Sequence, residues 1–139
     1  MPTPPLIVRS NIADQNLGVR FDDLNKAIIE AESYLRSLKP VDSTWITYAV
    51  SDYPDGSQTW SELGICKYGG TKWTLCYGSG SSYEEGVSIN ALIECPILTR
   101  VAAIKHLPEL EEQIIKSKEK FVAEVDNAIV FLKRFAQQN

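Results

Sequence analysis

A chain of 139 residues suits one domain, long enough to bury roughly two thirds of the surface its unfolded form exposes. Its composition, 44% apolar and 23% charged, excludes a disordered chain and needs no disulfide or metal staple on grounds of size. Fourteen basic residues face eighteen acidic ones, interspersed along the chain, which excludes the concentrated basic surface of a non-specific nucleic-acid binder.

The N-terminus has neither the basic start nor the apolar run of a secretory signal, and no stretch approaches the ~20 apolar residues that span a bilayer. Cys66, Cys76 and Cys95 are odd in number and lack C-x-x-C spacing, so they read as small buried hydrophobes rather than a disulfide framework. A cytoplasmic location without membrane attachment is expected.

Residues 1–20 open with Pro2, Pro4 and Pro5 and a short apolar triplet, Leu6-Ile7-Val8; prolines oppose helix, so an extended, partly irregular arm is expected here. A helix is predicted to start near Asp22, an N-cap preceded by Phe21 as a hydrophobic staple. Leu24, Ala27, Ile28, Ala31, Leu35 and Leu38 then recur at three-and-four spacing, and Pro40 closes the element.

From residue 45 the period changes to two. Trp45–Val50 is β-branched and aromatic and stops at the turn Asp52-Tyr53-Pro54-Asp55-Gly56; further strands are predicted over Trp60–Tyr68 and Lys72–Tyr77. A two-residue Gly69-Gly70 loop would mix polar and apolar residues on both faces of this hairpin. A three-residue loop through Thr71 instead pairs Ile65 with Leu75 and Leu63 with Tyr77, with Trp73 on the same face. Gly64, Cys66, Thr74 and Cys76 then share the other face. The tract Gly78–Ser82 reads as a mobile loop without a phosphate-binding pattern, and Val87–Ala91 as a short fourth strand.

Pro96 opens a short helix with Ile97, Leu98, Val101 and Ile104 as packing residues. Pro108 opens a long one, with Glu109, Glu111 and Glu112 in its first turn and Lys133 and Arg134 in its last, matching the helix dipole. At about 28 residues, ~40 Å, it is longer than a sheet of short strands needs. The excess requires a partner, the first helix or a second copy of the chain, and Lys118 breaks the seam that an uninterrupted coiled coil would use. The fold expected is therefore a single α+β domain over residues 1–139: an N-terminal helix, an antiparallel sheet of three or four strands, then a short and a long C-terminal helix packed on one face.

No stretch combines reactive residues at a spacing that a known chemistry requires. His106, the only histidine, could serve as a base beside Cys66 or Cys95, but at a helix junction an imidazole that caps carbonyls is the simpler role. The carboxylates Glu84-Glu85 and Glu109, Glu111 and Glu112 fit a solvated loop and a dipole-matched first turn. Asp52 and Asp55 fit a turn, and one histidine with three scattered cysteines makes no zinc set. No metal and no cofactor are expected.

The sheet region holds Trp45, Tyr48, Tyr53, Trp60, Tyr68, Trp73, Tyr77 and Tyr83, and Tyr and Trp favour surfaces that a partner covers, although they are also good strand formers. The sequence thus points to a non-enzymatic protein-interaction module, acting through self-association or a protein partner. Its binding candidates are Trp45, Tyr48, Trp60, Tyr68, Trp73 and Tyr77, or the long helix. The alternative is a small-molecule binder or enzyme with a pocket between sheet and C-terminal helices, near Cys66, Cys76, Cys95, Arg100 and His106.

Overall fold

A computed structural model describes residues 5–84 and 86–138. Its elements in chain order are α1 (Leu6–Ser37), β1 (Thr44–Asp52), β2 (Gln58–Cys66), β3 (Thr74–Ser81), β4 (Val87–Ala91), a 3-10 turn (Leu92–Glu94), α2 (Ile97–Ile104) and α3 (Leu107–Gln137). The strands form one antiparallel sheet in the order β1-β2-β3-β4. This is the α+β arrangement expected from the sequence.

The first helix is far longer than expected. Residues 6–20 are helical rather than extended, and Asp22 lies inside α1 instead of capping it. The proline argument fails because Pro5 is the N-cap residue, at φ −53 and ψ 149, and a proline there costs nothing: the clash and the lost N–H matter only in a helix interior. From Leu6 to Phe21 the one weak helix former of consequence is Gly18, which is tolerated. Residues 1–4, where the arm was also expected to be irregular, lie outside the described residues. α1 ends as the sequence requires: Lys39 turns left-handed at φ 53, its N–H bonds the Arg36 carbonyl, and buried Pro40 follows.

The hairpin register is as expected, with Ile65 opposite Leu75 and Leu63 opposite Tyr77. Pairing stops at Cys66 and Thr74, however, so the connection is residues 67–73 rather than three residues. Ile46 and Tyr48 of β1 face the helices, and a bulge at Tyr48 then shifts the alternation by one, so that Ala49 lies opposite Ser61 and Val50 returns to the face of Trp45. The core joins Leu63, Ile65 and Leu75 of the sheet to Ile28 and Leu35 of α1, Leu92 of the 3-10 turn, Ala103 of α2, and Leu110 and Ile114 of α3. At roughly 1.5–3 kcal/mol per buried aliphatic side chain, this cluster is the main adhesive between sheet and helices.

The two long helices lie side by side and run in the same direction. Ala31, Tyr34 and Leu35 flank Leu107, Pro108 and Glu111, while Ser37 and Leu38 flank Ile115, Lys118 and Val122. Their overlap is only partial. The first half of α1 and the second half of α3 therefore extend past the sheet at opposite ends, and α3 at 31 residues measures ~46 Å.

Candidate functional site

The sheet's two faces differ in kind. Strand alternation and pairing put Trp45, Glu62, Gly64, Cys66, Cys76, Gly78 and Gly80 on the face turned away from the core. There the Trp45 indole lies against Gly64 and Gly78, and the Trp60 indole lies against Gly80. A Cβ on Gly64 would sit 2.4 Å from the Trp45 ring, and one on Gly80 would sit 2.4 Å from the Trp60 ring. This contact explains why Gly78–Ser81 is the end of β3 and not the loop expected. Its glycines are seats for two indoles, and Ser79 and Ser81 pair with β2.

The six aromatic binding candidates are consequently divided. Trp45 and Trp60 share the outer face, half-buried on their glycines. Tyr48 and Tyr77 face the helices: the Ser61 hydroxyl lies 3.1 Å from that of Tyr77 and also bonds Tyr48, and burial pushes the Tyr48 phenol up from its ordinary range. Trp73 packs against the core, with the Lys67 ammonium 4.9 Å from its ring, and Tyr68 is exposed in the β2–β3 connection. Beyond the helices the inner face becomes a shallow trough of about 330 Å³, where Ser51, Thr59, Ser61, Ser79, Ser81 and Ser88 present hydroxyls.

The alternative pocket residues fall into three groups. Cys66 and Cys76 are neighbours on the outer face with sulfurs 3.6 Å apart, and burial together with the Cys66 thiol holds the Cys76 thiol strongly above its ordinary range. Cys95 donates to the Ala91 carbonyl at 3.4 Å and is also raised by burial, while Arg100 reaches Asn25 of α1. The Arg100 Nε is buried without an acceptor among the described residues. His106 stacks on Tyr48, ring centroids 4.5 Å apart and 18° from parallel, and its Nδ1 lies 3.1 Å from Glu109. The imidazole is thus engaged by a ring and a carboxylate rather than by helix-end carbonyls.

The acidic candidates are held by their own turns. Asp55 accepts the Ser57 N–H at 2.9 Å and hydroxyl at 2.6 Å, which lowers its pKa, and also accepts the Tyr83 hydroxyl; Asp52 accepts the Gln58 side-chain amide at 2.6 Å. Glu85 lies outside the described residues. Among the described residues no three His, Cys, Asp or Glu side chains converge as a metal site, and no helix is long and apolar enough to cross a membrane.

The most exposed apolar surface is on the helices. Every residue from Glu119 to Gln138 is exposed, including Phe121, Val122, Val125, Ile129, Val130, Phe131 and Leu132, and Phe131 is 67% exposed. α1 has a smaller counterpart in Leu6, Ile7, Ile12, Leu17 and Val19. Sequence periodicity identifies the α3 stripe, but the exposure follows from where α1 stops. Lys118 marks that limit, its ammonium donating to the Leu38 carbonyl at 2.6 Å. Beyond Val122 the stripe has run past the end of its neighbour. No family model, no curated protein sequence and no solved structure matches the chain.

Proposed function

We propose that this protein is a non-catalytic interaction module whose docking surface is the second half of α3. One observation carries the reading: a helical segment that leaves Val125, Ile129, Val130, Phe131 and Leu132 41–67% exposed continues past the end of α1, against which the first half of the same helix packs. Large exposed apolar side chains concentrated on one segment are a feature of interaction sites. Mixed charge on the segment, Glu119, Lys120, Glu124, Asp126, Lys133 and Arg134, favours a protein over a nucleic acid as the partner. The outer sheet face, with Trp45, Trp60, Val50, Val87 and Ile89, is a lesser candidate because its indoles are already seated on glycines. A cytoplasmic setting suits three unpaired thiols.

The test is photo-crosslinking in the source cells, with a benzophenone side chain replacing Leu132 and, as a control, replacing Gln113 on the exposed part of α3 beside the body. A single defined polypeptide adduct at position 132, missing at 113, is expected. No adduct at 132, or the same smear from both positions, overturns the reading.

A further inference from the structure

We infer that the occupant of the second half of α3 is a second copy of this chain, its own α3 lying antiparallel about a twofold axis between Val130 and Phe131. This inference rests on the reading that the segment is a docking surface, and adds to it the partner and the register.

The first argument is the repeat. Ile115, Val122, Ile129 and Ala136 are seven apart, and Lys118, Val125 and Leu132 fall between them at the three-and-four spacing of a helix–helix seam. The end of α1 lies beside the seam at Ile115, Lys118 and Val122. Lys118, the one charged residue in it, is accounted for by the Leu38 carbonyl. From Val125 onward the seam is apolar at every position and exposed. The chain thus carries a seam designed for a helix, occupied over its first half by α1.

The second argument is charge. Asp126 and Lys133 occupy equivalent places in successive repeats, each one residue after a seam position. In a parallel pair, each would lie beside a residue that precedes the seam in the other copy: Phe121 or Ala128. Neither charge would find a counter-charge. In the antiparallel register Ile129 of one copy meets Leu132 of the other and Val125 meets Ala136. Asp126 then lies against Lys133 twice, once on each side of the axis. The same register sets the two helix dipoles in opposition, a small additional gain.

The third argument is area. With Val125, Ile129, Leu132, Ala136 and the stems of the residues flanking them from each copy, the pair buries on the order of 1,000 Å², the lower edge of stable interfaces. The expected dimer is a reversible one, with a dissociation constant on the order of 1–100 µM.

Sedimentation velocity of the full chain from 1 to 200 µM tests this, with far-UV circular dichroism confirming that each variant keeps its helix content. The chain is expected to show a monomer–dimer equilibrium that Ile129→Glu abolishes. Lys133→Glu and Asp126→Lys are each expected to weaken it about tenfold. The double variant D126K/K133E, which restores opposite charges across the axis, is expected to recover it, as is an equimolar mixture of the two single variants. A folded monomer at 200 µM overturns the self-pairing; so does a dimer indifferent to Ile129→Glu, or one that the double variant fails to restore. If the chain is monomeric yet position 132 still crosslinks to one defined polypeptide, the docking surface stands and only the second copy falls. If both readouts are negative, both readings fall.

Discussion

Glu32 accepts the backbone N–H of Leu75 at 2.9 Å, so a helix carboxylate completes the hydrogen bonding of a strand. β4 pairs with β3 no further than Cys76, which leaves Thr74 and Leu75 of β3, and Trp73 just before them, without a strand on that side. α1 supplies the missing partners. The other Glu32 oxygen holds the Arg36 guanidinium at 3.0 Å, and that guanidinium donates from Nε and Nη2 to the Trp73 carbonyl at 3.1 and 2.9 Å. One i,i+4 pair on α1 thus satisfies both a donor and an acceptor of the sheet edge.

Removing this clamp is expected to destabilise the protein. Glu32→Ala leaves the Leu75 N–H without its acceptor and Arg36 without its carboxylate, which should cost about 1.5–3 kcal/mol in urea denaturation. Glu32→Gln keeps an oxygen for Leu75 and should cost less.

The indole seats make a sharper prediction. Gly64→Ala drives a methyl carbon into the Trp45 ring, flanked by the Thr44 carbonyl oxygen at 2.8 Å, so neither neighbour can retreat easily. A loss of about 2–4 kcal/mol is expected. In the double variant W45A/G64A the two losses should add to less than their sum, because the steric conflict is gone. Gly70→Ala, where a methyl meets no atom within 4 Å, is the control and should be nearly silent.

The buried thiols predict an alkaline sensitivity. A thiol whose folded pKa is raised stays protonated while the unfolded chain begins to ionise near 9, so the unfolded state then holds fewer protons. Stability should be insensitive to these groups below pH 9 and should fall as pH rises past it. Denaturant midpoints between pH 7 and 10.5 check the sign, and the slope should be shallower in Cys76→Ala. In the folded protein at pH 8, half-buried Cys66 should be alkylated first, with buried Cys76 and Cys95 lagging.

Lys118 offers a fourth test. Its ammonium bonds a carbonyl at the C-terminal end of α1, where cations are favoured. Lys118→Met should therefore cost about 1 kcal/mol. It should also raise the amide exchange of residues 36–39 more than that of the sheet.

The β2–β3 register was legible in the sequence because it is a matter of face. Only one pairing put Leu63, Ile65, Leu75 and Tyr77 together, and burial enforces that choice. The extent of β3 was not legible, because Gly78 and Gly80 look like loop residues until Trp45 and Trp60, 33 and 20 positions away, are known to lie on them. The start of α1 is hidden for a local reason: Pro2, Pro4 and Pro5 have the composition of a helix breaker, but all of them precede the first helical residue, Leu6. As for the docking surface, the apolar stripe of α3 was visible in its spacing. That its second half is bare depends on the point where α1 ends beside it, a tertiary fact.

Trp45 starts on β1, lies over Gly64 of β2 and reaches Gly78 of β3, so one ring rivets three strands in a single alignment. Sliding β1 by two residues would keep every side chain on its proper face, the error that alternation cannot forbid. It would also bring Glu62 or Cys66 under the indole, where there is room only for a hydrogen. The glycines thus act as a keyway: they admit the ring at one position along the sheet and reject it at the neighbouring ones, guarding the folding chain against a mispaired β1.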